Sequence, residues 1–140
     1  MGEFRWPVRV YYEDTDSGGV VYYANYLKFM ERARTEWLRS RGFEQDDLRA
    51  REGVIFAVRS VHIDYLKPAH FNDQLQVVSA LKQCRRASLE FYQRVERLPA
   101  ETGNKGTLCE AVVKIACIDS RTFRPRSLPD AIVMEMTLEH

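Results

Sequence analysis

The stretch Tyr11–Phe43 reads YYEDTDSGGVVYYANYLKFMERARTEWLRSRGF, and the hydrophobic period of the chain changes across it. Just before and into it, Phe4, Trp6, Val8, Val10 and Tyr12 fall on one side and Arg5, Pro7, Arg9 and Tyr11 on the other, the two-residue period of a half-buried strand. Pro7 predicts an edge position or a bulge, because proline cannot donate to a ladder. From Ala24 onward the spacing is helical, with Tyr26, Leu27, Met30, Ala33, Trp37 and Leu38 on one stripe. Arg39 and Arg41 stand where a helix dipole is negative and Gly42 where a left-handed cap is wanted, so the helix ends there.

After this one long helix, EQDDLRARE adds a short helical turn, and four segments alternate: Val54 to Leu66, Gln74 to Gln83, Ala87 to Leu98 and Lys105 to Ile118. KPAHFND, CRR and PAETGN separate them as turns. One strand, one long helix and four strands with short connections predict an α+β domain: an antiparallel meander of five strands curled around the helix. The tail from Ser120, with Pro125 and Pro129, reads as irregular. No repeat or linker divides residues 1–137, which form a single domain; Leu138 to His140 resembles the start of an expression tag, so His140 is set aside.

A chain of 140 residues fits one core, and a domain of that size buries roughly 70% of its unfolded surface. With 21 Lys and Arg against 20 Asp and Glu, the charge balance points to no nucleic acid or anionic membrane partner. Cys84, Cys109 and Cys117 form no C-x-x-C pair, which fits reduced thiols in a cytoplasmic protein and no zinc site. No window approaches the roughly 20 apolar residues of a membrane helix, so no membrane insertion is expected.

The acidic turn is tested against known chemistries. An EF-hand loop starting at Asp14 would need an oxygen ligand at Gly18 and a bidentate Glu at Asn25, and fails. A phosphatase of the haloacid-dehalogenase type carries Thr or Val where Gly18 stands, and further motifs in a longer chain. Phosphate-binding, dinucleotide and G-x-S-x-G patterns are absent. What remains is Asp16 on a loop before a helix whose N-cap, Tyr22 or Tyr23, has no short oxygen side chain, leaving backbone N–H groups free. Such donors suit an oxyanion. A nearby carboxylate can attack the carbonyl or activate water. A thioester yields to so spare a site, because its thiol, with a pKa of roughly 8.5 to 10 judged from cysteine, leaves with little general-acid help.

VRVYYEDTDSGGVVYYANYLKFMERARTEWLRSRGF, with the later DYLKPAHFND, resembles the hotdog-fold acyl-CoA thioesterases of the Tol-Pal-associated YbgC type, relatives of 4-hydroxybenzoyl-CoA thioesterase. The resemblance covers essentially the whole chain. It implies a hotdog fold, sheets joined edge to edge in a homodimer or homotetramer, sites at the dimer interface, acyl-CoA as substrate, acyl-carrier protein as a possible partner, and no cofactor or metal. Carried over, the catalytic carboxylate falls on Asp16 and the oxyanion N–H on the backbone of Tyr23, where many members place His; Gly19 and Val20 line the substrate.

The remaining polar residues have plainer readings. Asp14 is structural. Glu31 is a solvated partner for Lys28 or Arg34 before it is a second acid. His62 reads as a strand residue and His70 as a solvated turn residue. Arg85 and Arg86 mark a soluble hairpin, with coenzyme A phosphates as the functional alternative. Two rivals to hydrolysis stay open: a non-catalytic module binding acyl-CoA or acyl-carrier protein, and a hotdog dehydratase, which would need a His and acid pair.

Overall fold

The computed structural model describes residues 2–99 and 106–138. Its strands are β1 (Phe4–Arg9), β2 (Val54–Tyr65), β3 (Gln74–Cys84), β4 (Ser88–Arg97) and β5 (Thr107–Asp119); its helices are α1 (Tyr23–Ser40), α2 (Gln45–Asp47) and α3 (Asp130–Leu138). All five strands form one antiparallel sheet in the order β1-β3-β4-β5-β2. Only β3, β4 and β5 make the expected meander. β2 lies at the far edge, so the chain crosses the sheet between β2 and β3. β1 forms the other edge, where Pro7 is tolerated opposite Gln76. The fold is the hotdog: one curved sheet around one long helix.

The register shifts between Val58 and Ser60, between Leu81 and Gln83, and between Val95 and Glu96. Each such irregularity bends its strand and increases the local twist, which lets the sheet curl over α1. The concave face is apolar: Leu75, Val77, Leu89, Phe91, Val95, Ala111 and Val113 meet Tyr26, Phe29, Met30, Ala33 and Trp37 of the helix in one core. Trp37 and Phe91 pack edge to face with ring centres 4.9 Å apart. Leu27, expected on the buried stripe, is instead exposed, and Phe29 takes its place. Leu27 lies 100° around the helix from Tyr26, at the limit of an apolar stripe of ordinary width.

α1 ends in a Schellman motif. Phe43 N–H bonds to Leu38 O and Gly42 N–H to Arg39 O, both at 3.0 Å, with Gly42 at φ +90°. Two other boundaries correct the sequence reading. β1 stops at Arg9, and Tyr12 enters a 3-10 turn, 75% exposed. The tail is not irregular throughout: α3 buries Ile132 and Met136, one turn apart. The short tail helix is apolar almost all round, so it gave no clear stripe. Leu138, the first of the three residues read as a tag remnant, closes α3; Glu139 and His140 lie outside the described residues, as do residues 100–105, with most of PAETGN and the expected strand start at Lys105. Among the described residues no helix is long and apolar enough to cross a membrane.

Candidate active site

Leaving β1, the chain makes a miniature ladder against the β2–β3 connection. Thr15 bridges Val21 and Val20 bridges His70, both antiparallel. Asp16 N–H donates to Val20 O at 2.9 Å, and Val21 N–H donates to Ala69 O at 2.8 Å. Paired residues share a face, so Val20 and His70 lie together on one face, whereas Val21 and Ala69 are buried. The turn between is tight: Gly19 N–H returns to Asp16 O at 3.0 Å, with Gly19 at φ +80°, which a residue with a Cβ rarely adopts.

Within this turn the Asp16 carboxylate accepts the Gly18 N–H at Oδ1, 2.8 Å away. A Cβ on residue 18 would stand 3.2 Å from that oxygen, so glycine is what lets the carboxylate fold back. Among the described residues Oδ2 has no partner. One oxygen is thus oriented and the other left without a protein partner. Asp14 is held differently: its Oδ2 accepts the Tyr11 N–H at 2.9 Å, and its backbone O accepts Tyr22 N–H at 3.0 Å and Asn25 Nδ2 at 2.8 Å. Asp14 therefore fastens the turn to the start of α1.

The helix begins without a side-chain cap at Tyr22. Asn25 N–H bonds to Tyr22 O at 2.9 Å, and among the described residues the N–H groups of Tyr23 and Ala24 have no partner. Beside them is a cavity of about 210 Å³ lined by Val20, Val21, Tyr23, Tyr26, Tyr65, Leu66, Lys67 and Pro68. The Tyr23 ring leans on Tyr65 at 4.7 Å, and Tyr65 on Tyr26 at 5.7 Å. Tyr26 Oη accepts the Ala69 N–H at 3.0 Å. Burial raises the pKa of both Tyr26 and Tyr65. The arrangement offers a carboxylate, two unpaired backbone donors and an aromatic recess on consecutive short elements.

Of the residues named from sequence, Val20 and Tyr23 line this cavity, whereas Asp16 and Gly19 lie in the turn bonded to Val20 and are not part of its lining. Arg85 and Arg86 lie apart from both. The Asp16 turn adjoins the first residue of β3, since Arg9 pairs with Gln74, whereas the two arginines follow its last residue. At ~3.3 Å per residue those ends are about 30 Å apart. Arg85 donates to Gln83 Oε1 at 2.8 and 3.0 Å, and Arg86 Nε to Ser127 Oγ at 3.0 Å. His70 is closer than a turn reading suggested, lying across from Val20 with Nδ1 3.8 Å from Asp73 Oδ2. Glu31 lines a separate groove with Arg34, Phe56 and Phe91. Arg34 is buried against Gln93 Oε1 at 2.8 Å, and burial pulls its pKa down to about 10.

Sequence reasoning passed over Asn25 and Tyr65. Asn25 at the third helical position was visible as a polar residue on a buried stripe, 9% exposed. Tyr65 carried no local signal, because its partners lie 42 residues away.

Residues 10–135 match the thioesterase-like superfamily. The acyl-CoA thioester hydrolase YbgC of Escherichia coli is 47% identical over 132 residues, which cover 94% of each chain. The acyl-CoA thioesterase YbgC of Haemophilus influenzae is 43% identical over 92% of this chain and 90% of its own. Among solved structures, a probable thioesterase from Bartonella henselae superposes with a TM-score of 0.83 at 34% identity, over 91% of this chain and all of that one. A 1,4-dihydroxy-2-naphthoyl-CoA thioesterase from Synechocystis gives a TM-score of 0.87 at 24% identity, over 99% of both chains, a likeness of fold.

Proposed function

The chain belongs to the thioesterase-like superfamily and, within it, to the YbgC acyl-CoA thioesterases, and from that premise we propose that it cleaves acyl-CoA thioesters at the turn between β1 and α1. As an acyl-CoA thioester hydrolase it releases a free acid and coenzyme A. The observation that carries the site assignment is a half-tethered Asp16 carboxylate on the turn that leads directly into the unpaired N–H groups of Tyr23 and Ala24.

In the proposed reaction the thioester carbonyl oxygen lies against those N–H groups, which meet the negative charge it gains as the carbon becomes tetrahedral. Asp16 either takes a proton from an attacking water or adds to the carbonyl itself, forming a mixed anhydride that water then opens. Both routes break the same C–S bond, and the thiolate leaves without a dedicated acid. Single-turnover hydrolysis in ¹⁸O water, with hydroxylamine trapping, separates them: label or a hydroxamate at the Asp16 carboxyl supports attack by the aspartate, and the absence of both removes that route. Gly19 and Val20 border the reacting group, and the recess between Tyr23, Tyr26 and Tyr65 takes part of the acyl chain or the pantetheine arm. The chemistry needs no cofactor, since coenzyme A comes and goes with the substrate.

A second subunit completes the proposal. Among the described residues β2 is hydrogen-bonded only along its β5 side, and we infer that its other edge joins the partner's sheet in a homodimer. Contacts from Arg85 or Arg86 to coenzyme A phosphates would then cross the subunit boundary, given their distance from Asp16 in one chain.

Asp16→Asn keeps the Oδ1 acceptor for Gly18 and removes the base. Turnover should fall by at least 1,000-fold, an estimate of about 10³ or more for losing a group that acts in the chemical step, with the melting temperature unchanged. The measurement is free-thiol release over a panel of acyl-CoA and acyl-carrier thioesters. Near-wild-type rates on every substrate would remove Asp16 from the mechanism.

A further inference from the structure

Tyr65 closes β2, opposite Cys109, and its hydroxyl donates to the backbone oxygen of Tyr23 at 3.2 Å. That oxygen and the Ala24 N–H are the two ends of one peptide unit. The other free donor, the Tyr23 N–H, belongs to the preceding peptide, whose oxygen accepts from Asn25. Each unpaired N–H at the start of α1 therefore sits on an amide whose carbonyl is already hydrogen-bonded. A hydrogen bond to the carbonyl polarises an amide and strengthens its N–H as a donor. The tyrosine ring also packs on Tyr23 at 4.7 Å and on Tyr26 at 5.7 Å, and so braces the first helical turn against the sheet.

We propose that Tyr65 is a positioning residue for thioester cleavage: through the Tyr23 carbonyl it orients and polarises the backbone donors that receive the developing oxyanion. It touches no reacting atom. This role rests on the assignment of the α1 N-terminus as the oxyanion site. A donor strengthened through its own carbonyl favours the charged transition state over the neutral thioester, so the effect belongs in kcat rather than in KM. Burial raises the pKa of the phenol, so the hydroxyl keeps its proton across the working pH range and remains a donor.

The test is Tyr65→Phe, which keeps the ring and its packing and deletes the hydroxyl. We expect kcat to fall about 3- to 10-fold, the size of one hydrogen bond, by a similar factor for short, long and aromatic acyl-CoAs, with KM within twofold and the melting temperature preserved. In an Asp16→Asn background, the carbonyl stretch of a bound ¹³C-labelled acyl-CoA should shift less towards low frequency once Tyr65→Phe is added than with Tyr65 intact. Tyr65→Leu, which also loses the ring, should lose more kcat than Tyr65→Phe. A Tyr65→Phe enzyme with wild-type kcat, or with only KM altered, overturns the inference, as does an unchanged carbonyl stretch. If Asp16→Asn is inactive in the same assays, that failure concerns Tyr65 alone; if Asp16→Asn is active, the site assignment itself fails.

Discussion

Asp14 and Asp16 stand two residues apart and are held by different atoms. Asp14 spends its carboxylate on the Tyr11 N–H and its carbonyl on Tyr22 and Asn25, all within the protein. Asp16 gives one carboxylate oxygen to Gly18, and among the described residues the other has no partner. Replacing Asp14 by Ala removes one charge-assisted hydrogen bond and leaves both carbonyl bonds in place. Stability should fall by about 1 kcal/mol, read as a lower urea midpoint, with kcat within about threefold of wild type. A loss of activity as large as that of Asp16→Asn would mean that both acids belong to the chemistry. The split was legible in the sequence in part: D-x-D before Gly-Gly marked a turn with one acid to spare. Which oxygen each acid commits depends on three-dimensional partners such as Asn25, eleven residues away.

At the scale of elements, caps and strand periods were readable because their causes are local. Gly42 at φ +90° has no atom within 4 Å of where a Cβ would be, so Gly42→Ala meets backbone strain and no clash. The left-handed conformation costs a residue with a Cβ about 1–2 kcal/mol, and chemical denaturation should show that loss with kcat unchanged, since the site is at the other end of α1. A Gly42→Ala protein as stable as wild type would mean that the helix end relaxes freely. A second element-level feature joins β1's approach to β4: Arg94 bonds Glu3 at 2.9 Å and Glu96 at 2.7 Å. The Arg94 hydrogen bond holds the Glu3 carboxyl below its usual range. Burial pulls Glu96 upward, but hydrogen bonds from Arg94 and Gln76 outweigh it and the net shift is down. Depressed folded-state values stabilise the fold above the unfolded carboxylate pKa of about 4.3, and the contribution is lost as pH falls through the folded values. The urea midpoint of wild type should therefore drop more between pH 7 and pH 3.5 than that of Arg94→Met. Parallel losses would show that this cluster does not govern acid stability. The meander expectation failed at this scale: adjacency in sequence favours hairpins, yet the eight-residue connection from β2 carries the chain past two strands.

For the whole molecule, the open edge of β2 is the feature the single chain does not resolve. A twelve-residue edge strand with Val58 53% exposed would invite pairing with other chains if it stayed uncovered. Sedimentation should find a dimer or a larger even assembly, and Val58→Glu should shift it towards monomer and lower thiol release. A fully active monomeric wild type would refute that arrangement. The amino-acid sequence by itself determined the strand and helix periods, the end of α1, and a turn with an acid before an uncapped helix, because each follows from residues within a turn or two of one another. Strand order, the bulges that curl the sheet, and the placing of Tyr65 and His70 beside the Asp16 turn were decided only by tertiary structure. Those contacts join segments about 40 to 50 residues apart in the chain, and such pairings are chosen by burial of the whole apolar face rather than by any local propensity.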